Sequence, residues 1–341
     1  MLLRRVYKQH RWLASHVKFL STQKSSIDIK VDNDGIAILN LQRPPVNSFS
    51  MDFLKELSKS LDFVENNKIT AMILTSAFPR VFSAGLDINE VYKPDAVRFK
   101  EFWTTLQEVW MKLFGARFIT AAAINGQSPA GGCLMAMSCE YRVMIKGTFT
   151  IGMNETSLGL IAPTWFMELV KNTINVRDAE YAFTTSRMFT PEEALKVRLI
   201  DEIAADKDDA IAKCKRFIKK FDEITPSARI NTKMKLRGPA IKKLQNTRQE
   251  DTEEIYQLVI HPDTQKVAIF QLYSSPVSAN PAIITGYDPM EVCIENCAQC
   301  KKMLGAWFEG QLCAESCIKY RGKMIPDCEN YASISPFLNK L

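Results

Sequence analysis

The chain has 341 residues, room for about two domains of ordinary size. Its content, 46% hydrophobic and 24% charged, is that of a globular protein, and no run of about 18 apolar residues occurs that would read as a membrane span. The net charge of +6 matters less than its location: residues 1–27 hold Arg4, Arg5, Lys8, Arg11, Lys18 and Lys24 and no acid, so the remainder sums to about zero and no general nucleic-acid binder is indicated.

That first stretch, basic and Ser-containing with apolar residues interspersed, fits an organellar targeting peptide over residues 1–26. It lacks the unbroken apolar core of a secretory signal. From Ile27 the pattern alternates as a β-hairpin should, Ile27 to Val31 and Gly35 to Leu39, with Asp32-Asn33-Asp34-Gly35 at the turn. Arg43-Pro44-Pro45 stops the second strand, because proline cannot donate into a ladder. Ser50 reads as the N-cap of a helix whose apolar positions Phe53, Leu54, Leu57, Leu61 and Val64 recur at helical spacing. Ile69–Thr75 is a short apolar run suited to a buried strand.

Val81 to Ile88 follows, a turn of small residues around Gly85. Such a turn lets backbone approach a ligand and leaves N–H groups to stabilise an oxyanion. An amphipathic helix is predicted from Ala96 to Leu113, with Phe99, Phe102, Trp103, Leu106, Val109, Trp110 and Leu113 as a core stripe. Phe118–Ile124 makes another buried strand. It runs through a glycine-paired turn, Asn125 to Cys133, into an apolar helix, Leu134 to Cys139, a geometry that aims helix N-terminal N–H groups at an anion. No Gly-Lys-Ser/Thr follows, and three spaced glycines are lacking, so neither a Walker loop nor a dinucleotide fingerprint is present.

A strand from Tyr141 to Ile145 leads to Ile151-Gly152-Met153-Asn154-Glu155. Glu155 stands there among small and apolar residues, where loss of water raises a carboxylate's pKa and suits it to take and return a proton. The competing reading is an exposed Glu in a first helical turn, favoured by the helix dipole. Two sources of N–H groups and one base together form a site for making an enolate from a thioester or similar carbonyl. His10, His16 and His261 are the only histidines, which leaves a Ser-His triad or histidine metal site without its parts. Cys133 and Cys139 read as core thiols.

Phe82-Ser83-Ala84-Gly85-Leu86-Asp87, Ala123 to Gly126 with Ala130-Gly131-Gly132-Cys133, and Ile151 to Glu155 with Leu158-Gly159 resemble, in order, the signature blocks of the crotonase superfamily. The likeness runs from about Val31 to Gln271 and is strongest to the mitochondrial 3,2-enoyl-CoA isomerases. It implies an α/β fold of repeated ββα units wound as a superhelix with a helical C-terminal part, trimeric assembly, and an acyl-CoA substrate with no separate cofactor or metal. It implies catalysis by Glu155, an oxyanion hole from the N–H groups of Ala84 and Gly131, and substrate binding by Ala84, Gly85, Leu86, Asp87, Ile88, Gly131 and Asn154. Hydratases of the superfamily carry a second Glu directly after the Gly-Gly-Cys, where this chain has Leu134. Hydration needs two proton-transfer groups and double-bond migration one, so Leu134 points to isomerisation. Lys233 and Lys235 are candidates for the phosphates of coenzyme A.

From Pro163 to Leu258 the pattern is mainly helical, with Thr190 as an N-cap before Pro191 and a short strand over Leu199–Ile203. The likeness stops after Gln271. Residues 273–279 look like the end of a secretory signal, without its apolar core. Residues 280–341 contain Cys293, Cys297, Cys300, Cys313, Cys317 and Cys328 and resemble the insect eclosion hormone family, through Gly286 to Met290, Cys293 to Cys300, Gly305 to Gly310 and Pro336 to Leu341. This predicts a small, disulfide-rich α-helical domain that is a secreted membrane-receptor ligand, not an enzyme. Six cysteines leave the connectivity open from sequence. The resemblance implies Cys293–Cys317, Cys297–Cys313 and Cys300–Cys328, and one-turn spacing on two antiparallel helices is compatible with the first two. A zinc site at Cys297-Ala298-Gln299-Cys300 is the competing reading.

The expected organisation is thus 1–26 leader, 27–272 enzyme, 273–279 linker and 280–341 six-cysteine domain. A mitochondrial matrix address and a disulfide-dependent tail conflict. The reading that follows is two neighbouring coding units joined, by readthrough, gene fusion or a gene-model error.

Overall fold

A computed structural model describes residues 25–274, 289–320, 326, 328 and 331–338. The leader, apart from Ser25 and Ser26, the linker from residue 275 and the start of the tail at 280–288 lie outside the described residues. The chain forms two compact units. One comprises 25–87, 95–157 and 161–256; the other comprises 88–94, 158–160 and the described part of 257–341.

Among the described residues nine strands are formed: β1 (Ile27–Val31), β2 (Ile36–Leu41), β3 (Ala71–Ser76), β4 (Arg80–Val81), β5 (Ile119–Ile124), β6 (Gly126–Pro129), β7 (Tyr141–Ile145), β8 (Ile151–Gly152) and β9 (Glu202–Ala204). The helices are α1 (Met51–Asn66), α2 (Ile88–Val91), α3 (Ala96–Phe114), α4 (Gly131–Ser138), α5 (Thr164–Lys171), α6 (Val176–Thr185), α7 (Pro191–Lys196), α8 (Lys207–Lys219), α9 (Pro226–Val259), α10 (Pro262–Ser274), α11 (Pro289–Leu304), α12 (Gly310–Lys319) and α13 (Tyr331–Ile334).

In the first unit a sheet of order β1-β2-β3-β5-β7-β9 is parallel except for the β1–β2 hairpin. The hairpin turns where expected, because Asp32 Oδ1 accepts from the N–H groups of Asp34 and Ile36 at 2.9 and 3.0 Å, and Gly35 takes a φ of +76°. Every residue of β3 and β5 is buried, so both read as continuous apolar runs. Ser50 caps α1 through the Phe53 N–H. The α3 stripe is wholly buried and stacks on Trp165 and Phe166 of α5, each fully buried large side chain contributing roughly 1.5–3 kcal/mol.

The strand expected at Leu199–Ile203 forms instead at Glu202–Ala204. The N–H groups of Leu199 and Ile200 close on Ala194 O at the end of α7, which leaves only the later residues to pair with β7.

In the second unit α10 is tied to the 88–94 and 158–160 segments. Gln265 accepts from Lys93 N and donates to Val91 O, and Thr264 donates to Gly159 O. The tail forms α11 and α12, which run antiparallel because bridges join Cys293 to Cys317 and Cys297 to Cys313, with a third between Cys300 and Cys328. These are the three pairings the resemblance implied. Around them pack Ile294, Phe308, Ile334 and Phe337.

Candidate active site

Three short strands, β4, β6 and β8, make a second, parallel sheet with Arg80 opposite Gly126, Val81 opposite Gln127, Ser128 opposite Ile151 and Pro129 opposite Gly152. Because all three point the same way, the segments that follow them leave by one edge: 82–87 after β4, α4 after β6, and Asn154-Glu155 after β8. Backbone alone can approach this closely. A Cβ on Gly126 would lie 2.0 Å from the Arg80 carbonyl carbon, and one on Gly132 would lie 2.6 Å from Ser83 O.

The 82–87 loop is fixed by hydrogen bonds to the 46–49 segment. Ser83 Oγ donates to Asn47 O (2.7 Å) and accepts from Gly85 N (3.1 Å), while Phe49 N donates to Gly85 O and Asp87 N to Phe49 O. This last pair makes Phe49 bridge Leu86 in parallel fashion and turns the Leu86 N–H to the other side. The Asp87 carboxylate is buried, paired with Arg43 at 2.7 Å and with the Ser48 hydroxyl at 3.2 Å, so its side chain anchors the loop. Ile88, half-buried, opens α2 in the second unit.

The resemblance implied the Ala84 N–H as an oxyanion donor, and the backbone of the loop rules it out. The Ala84 N–H donates to Val46 O at 2.9 Å and has no proton to offer a ligand. Among the described residues, the N–H groups of Leu86 and Gly131 have no protein acceptor. Gly131 opens α4, whose first-turn amides lack intrahelical partners. The two backbones touch: a Cβ on Gly85 would lie 3.1 Å from Gly131 N, and one on Gly131 would lie 3.2 Å from Gly85 Cα. Ala130, at a φ of +43°, is held in this turn by its N–H to Gly152 O at 2.8 Å. Strain of this kind, of order 1–3 kcal/mol, collects at functional sites.

Glu155 begins a 3-10 turn, Glu155–Leu158, yet is only 7% exposed, which removes the reading of a solvated first-turn Glu. Burial pushes its carboxyl up to about 7, offset only by its own backbone N–H. Its Oε2 and the Oδ1 of Asn154 have no hydrogen-bond partner. Buried polar atoms are rarely left so, and here two adjacent residues supply one each. The Cys133 thiol is fully buried and pushed upward, first by burial and then by the charge of Glu155, which makes α4 and Glu155 electrostatic neighbours. Cys133 and Cys139 are unbridged core thiols. Leu134 is fully buried and contributes no carboxylate.

Lys233 does not face a phosphate site. Its ammonium is buried against Ala116 O (2.7 Å) and Glu140 Oε2 (2.8 Å), and burial lowers it to about 8. Lys235 is exposed.

Residues 32–270 match the family model described as enoyl-CoA hydratase/isomerase, and residues 282–341 that of eclosion hormone. The chain belongs to the enoyl-CoA hydratase/isomerase family and carries a C-terminal segment of the eclosion hormone family. More particularly, it is 40% identical over 234 residues to mitochondrial enoyl-CoA delta isomerase 1 of Mus musculus, covering 68% of this chain and 81% of the relative. Over 65 residues, 19% of this chain and 74% of the relative, it is 82% identical to the eclosion hormone of Manduca sexta. The crystal structure of human mitochondrial delta3-delta2-enoyl-CoA isomerase matches with a TM-score of 0.71 at 35% identity, covering 73% of this chain and 97% of that one.

Proposed function

We propose that the enzyme portion, residues 27–272, moves the double bond of a 3-enoyl-CoA to give the trans-2-enoyl-CoA, with Glu155 as the only proton carrier. The observation that carries this reading is a buried carboxylate raised to about 7; Leu134, fully buried, occupies the position at which the resemblance puts the second Glu of the hydratases. The Glu155 carboxylate takes a proton from C2 of the thioester, and the electron pair delocalises through the carbonyl as a dienolate. The Leu86 and Gly131 amides donate to the developing oxyanion. Glu155 then returns the same proton at C4, so the bond migrates with no net loss of atoms. Coenzyme A enters as part of the substrate. Asn154 Oδ1, unpaired beside Glu155, is the side-chain atom best placed in sequence to contact the substrate or the catalytic acid.

We take the enzyme portion to act in the mitochondrion and to assemble as a trimer, and the tail to be a receptor ligand when oxidised and secreted; the names of the relatives support the address and the hormone reading. The test is an assay of the purified chain. A 3-enoyl-CoA is expected to turn over to the conjugated 2-enoyl product, and Glu155→Gln to lower kcat by roughly 10²–10⁴. Hydration of a 2-enoyl-CoA at a comparable rate, or full activity in Glu155→Gln, would overturn the assignment.

A further inference from the structure

The tail cysteines on α11 and α12 do more than pair. Cys293 and Cys297 lie one turn apart on α11, and Cys313 and Cys317 one turn apart on α12. The bridges that join them stack, with Cys297 Sγ 3.4 Å from Cys317 Sγ of the other bridge. The sulfurs of Cys293, Cys297 and Cys317 all lie within 4.8 Å of one another, and Cys313 is bonded to Cys297. All four residues are buried beneath an apolar shell that includes Ile294, Phe308 and Phe337. Cys300 and Cys328 form their own bridge.

A tetrahedral thiolate site has metal–sulfur bonds of about 2.3 Å, which sets its sulfurs roughly 3.8 Å apart. The closest spacing between the two bridges, 3.4 Å from Cys297 Sγ to Cys317 Sγ, is already near that value, and the Cys313 sulfur, which is not one of the three within 4.8 Å of one another, has to move in to complete the set. Within each bridge the sulfurs need only part by about 2 Å once the bond is reduced, a shift that rotation about Cα–Cβ supplies. Cys133, Cys139 and Cys214 are free and buried, so the tail bridges are the ones a reductant acts on in this chain. A helical domain this small depends on a cross-link or a metal for its stability.

We propose that when the Cys293–Cys317 and Cys297–Cys313 bridges are reduced, the four thiols bind one zinc ion, or another soft divalent cation, as a buried tetrathiolate. Each bridge takes two electrons and two protons from a dithiol, which leaves as its own disulfide. The metal then displaces the thiol protons to solvent. The helix pair is thereby held by covalent bridges under oxidising conditions and by a metal under reducing ones. Neither the isomerase reading nor the receptor reading enters this inference.

The experiment uses the full chain, reduced anaerobically with excess dithiol, desalted, and titrated with Co²⁺ and then Zn²⁺. One cobalt per chain is expected, with intense thiolate-to-metal charge-transfer absorption and tetrahedral d–d bands that Zn²⁺ abolishes. Cys300→Ser with Cys328→Ser should keep that spectrum, whereas Cys297→Ser with Cys313→Ser should weaken binding at least a hundredfold. Since a serine pair can also prevent folding, the zinc-loaded wild-type chain is alkylated and its cysteines mapped by mass spectrometry. Protection of Cys293, Cys297, Cys313 and Cys317 with modification of Cys300 and Cys328 supports the site. A cobalt spectrum without tetrahedral thiolate bands, its persistence after Cys297 and Cys313 are replaced, or ready alkylation of any of the four overturns it.

Discussion

Glu155 pits activity against stability through one ionisation. Its carboxyl is lifted from the ordinary glutamate range to about 7 by burial, so the folded chain holds this proton over a pH range in which the unfolded chain has released it. The unfolded state therefore binds fewer protons between about 4.5 and 7, and the stability contributed by this group falls as pH rises across that window. Glu155→Gln should leave stability unchanged below that window and raise it above neutrality by up to about 3 kcal/mol. Denaturant unfolding of both proteins at pH 4.5 and pH 8 checks this; an equal difference at both values would mean that Glu155 is not ionising in a dry site. Under the proposed mechanism catalysis runs the other way, because Glu155 acts as the base only when ionised, so kcat/KM for wild type should climb through about pH 7 to a plateau. At this scale the sequence was legible for the burial of a side chain, as with Glu155 among apolar neighbours. It was not legible where chemistry is carried by main chain. Ala84 and Leu86 look equivalent as letters, and only the acceptor at Val46 and the bridge to Phe49 decide which N–H is free.

The small β4-β6-β8 sheet is the element that brings the site together, and composition conceals it. Gly126 to Pro129 has the letters of a turn, and β4 and β8 are two residues long, too short for any alternation to show. The long periodic elements α1 and α3 and the apolar runs β3, β5 and β7 were readable because their side chains face a core; the short strands are held by backbone register. That difference can be measured. An alanine Cβ at Gly126 would fall 2.0 Å from the Arg80 carbonyl carbon, inside any possible contact, so Gly126→Ala must force β4 off β6. Overpacking of this kind costs about 1–3 kcal/mol or more, and should appear as a lowered Tm. At Gly132 the new Cβ would meet Ser83 O at 2.6 Å, pushing α4 from the 82–87 loop. Gly132→Ala should therefore lower kcat by about tenfold to a hundredfold, as a misplacement near 1 Å does. Steady-state kinetics with wild-type kcat at this position would mean that the two segments are not held in catalytic register.

Across the whole molecule the cysteines divide the chain by chemistry. All three described cysteines before residue 280 are free and buried, and the tail carries three bridges. Uneven cysteine density made this visible in the sequence, whereas the grouping of α10 with 88–94 and 158–160 depends on hydrogen bonds from Thr264 and Gln265 that no pattern announces. A dithiol reductant added with a metal chelator removes the tail's cross-links and leaves the enzyme portion with none to lose. Loss of a native bridge from a small domain costs about 2–5 kcal/mol, more than the apolar cluster around Phe308 and Phe337 can offset in so short a segment. Limited proteolysis under these conditions should cut within residues 289–338 at least tenfold faster, while isomerase activity measured on the same sample stays at its oxidised value. Omitting the chelator and supplying zinc should restore most of the protection. If activity fell in step with tail cleavage, the two portions would be coupled in folding, and the chain would have to be treated as one cooperative unit.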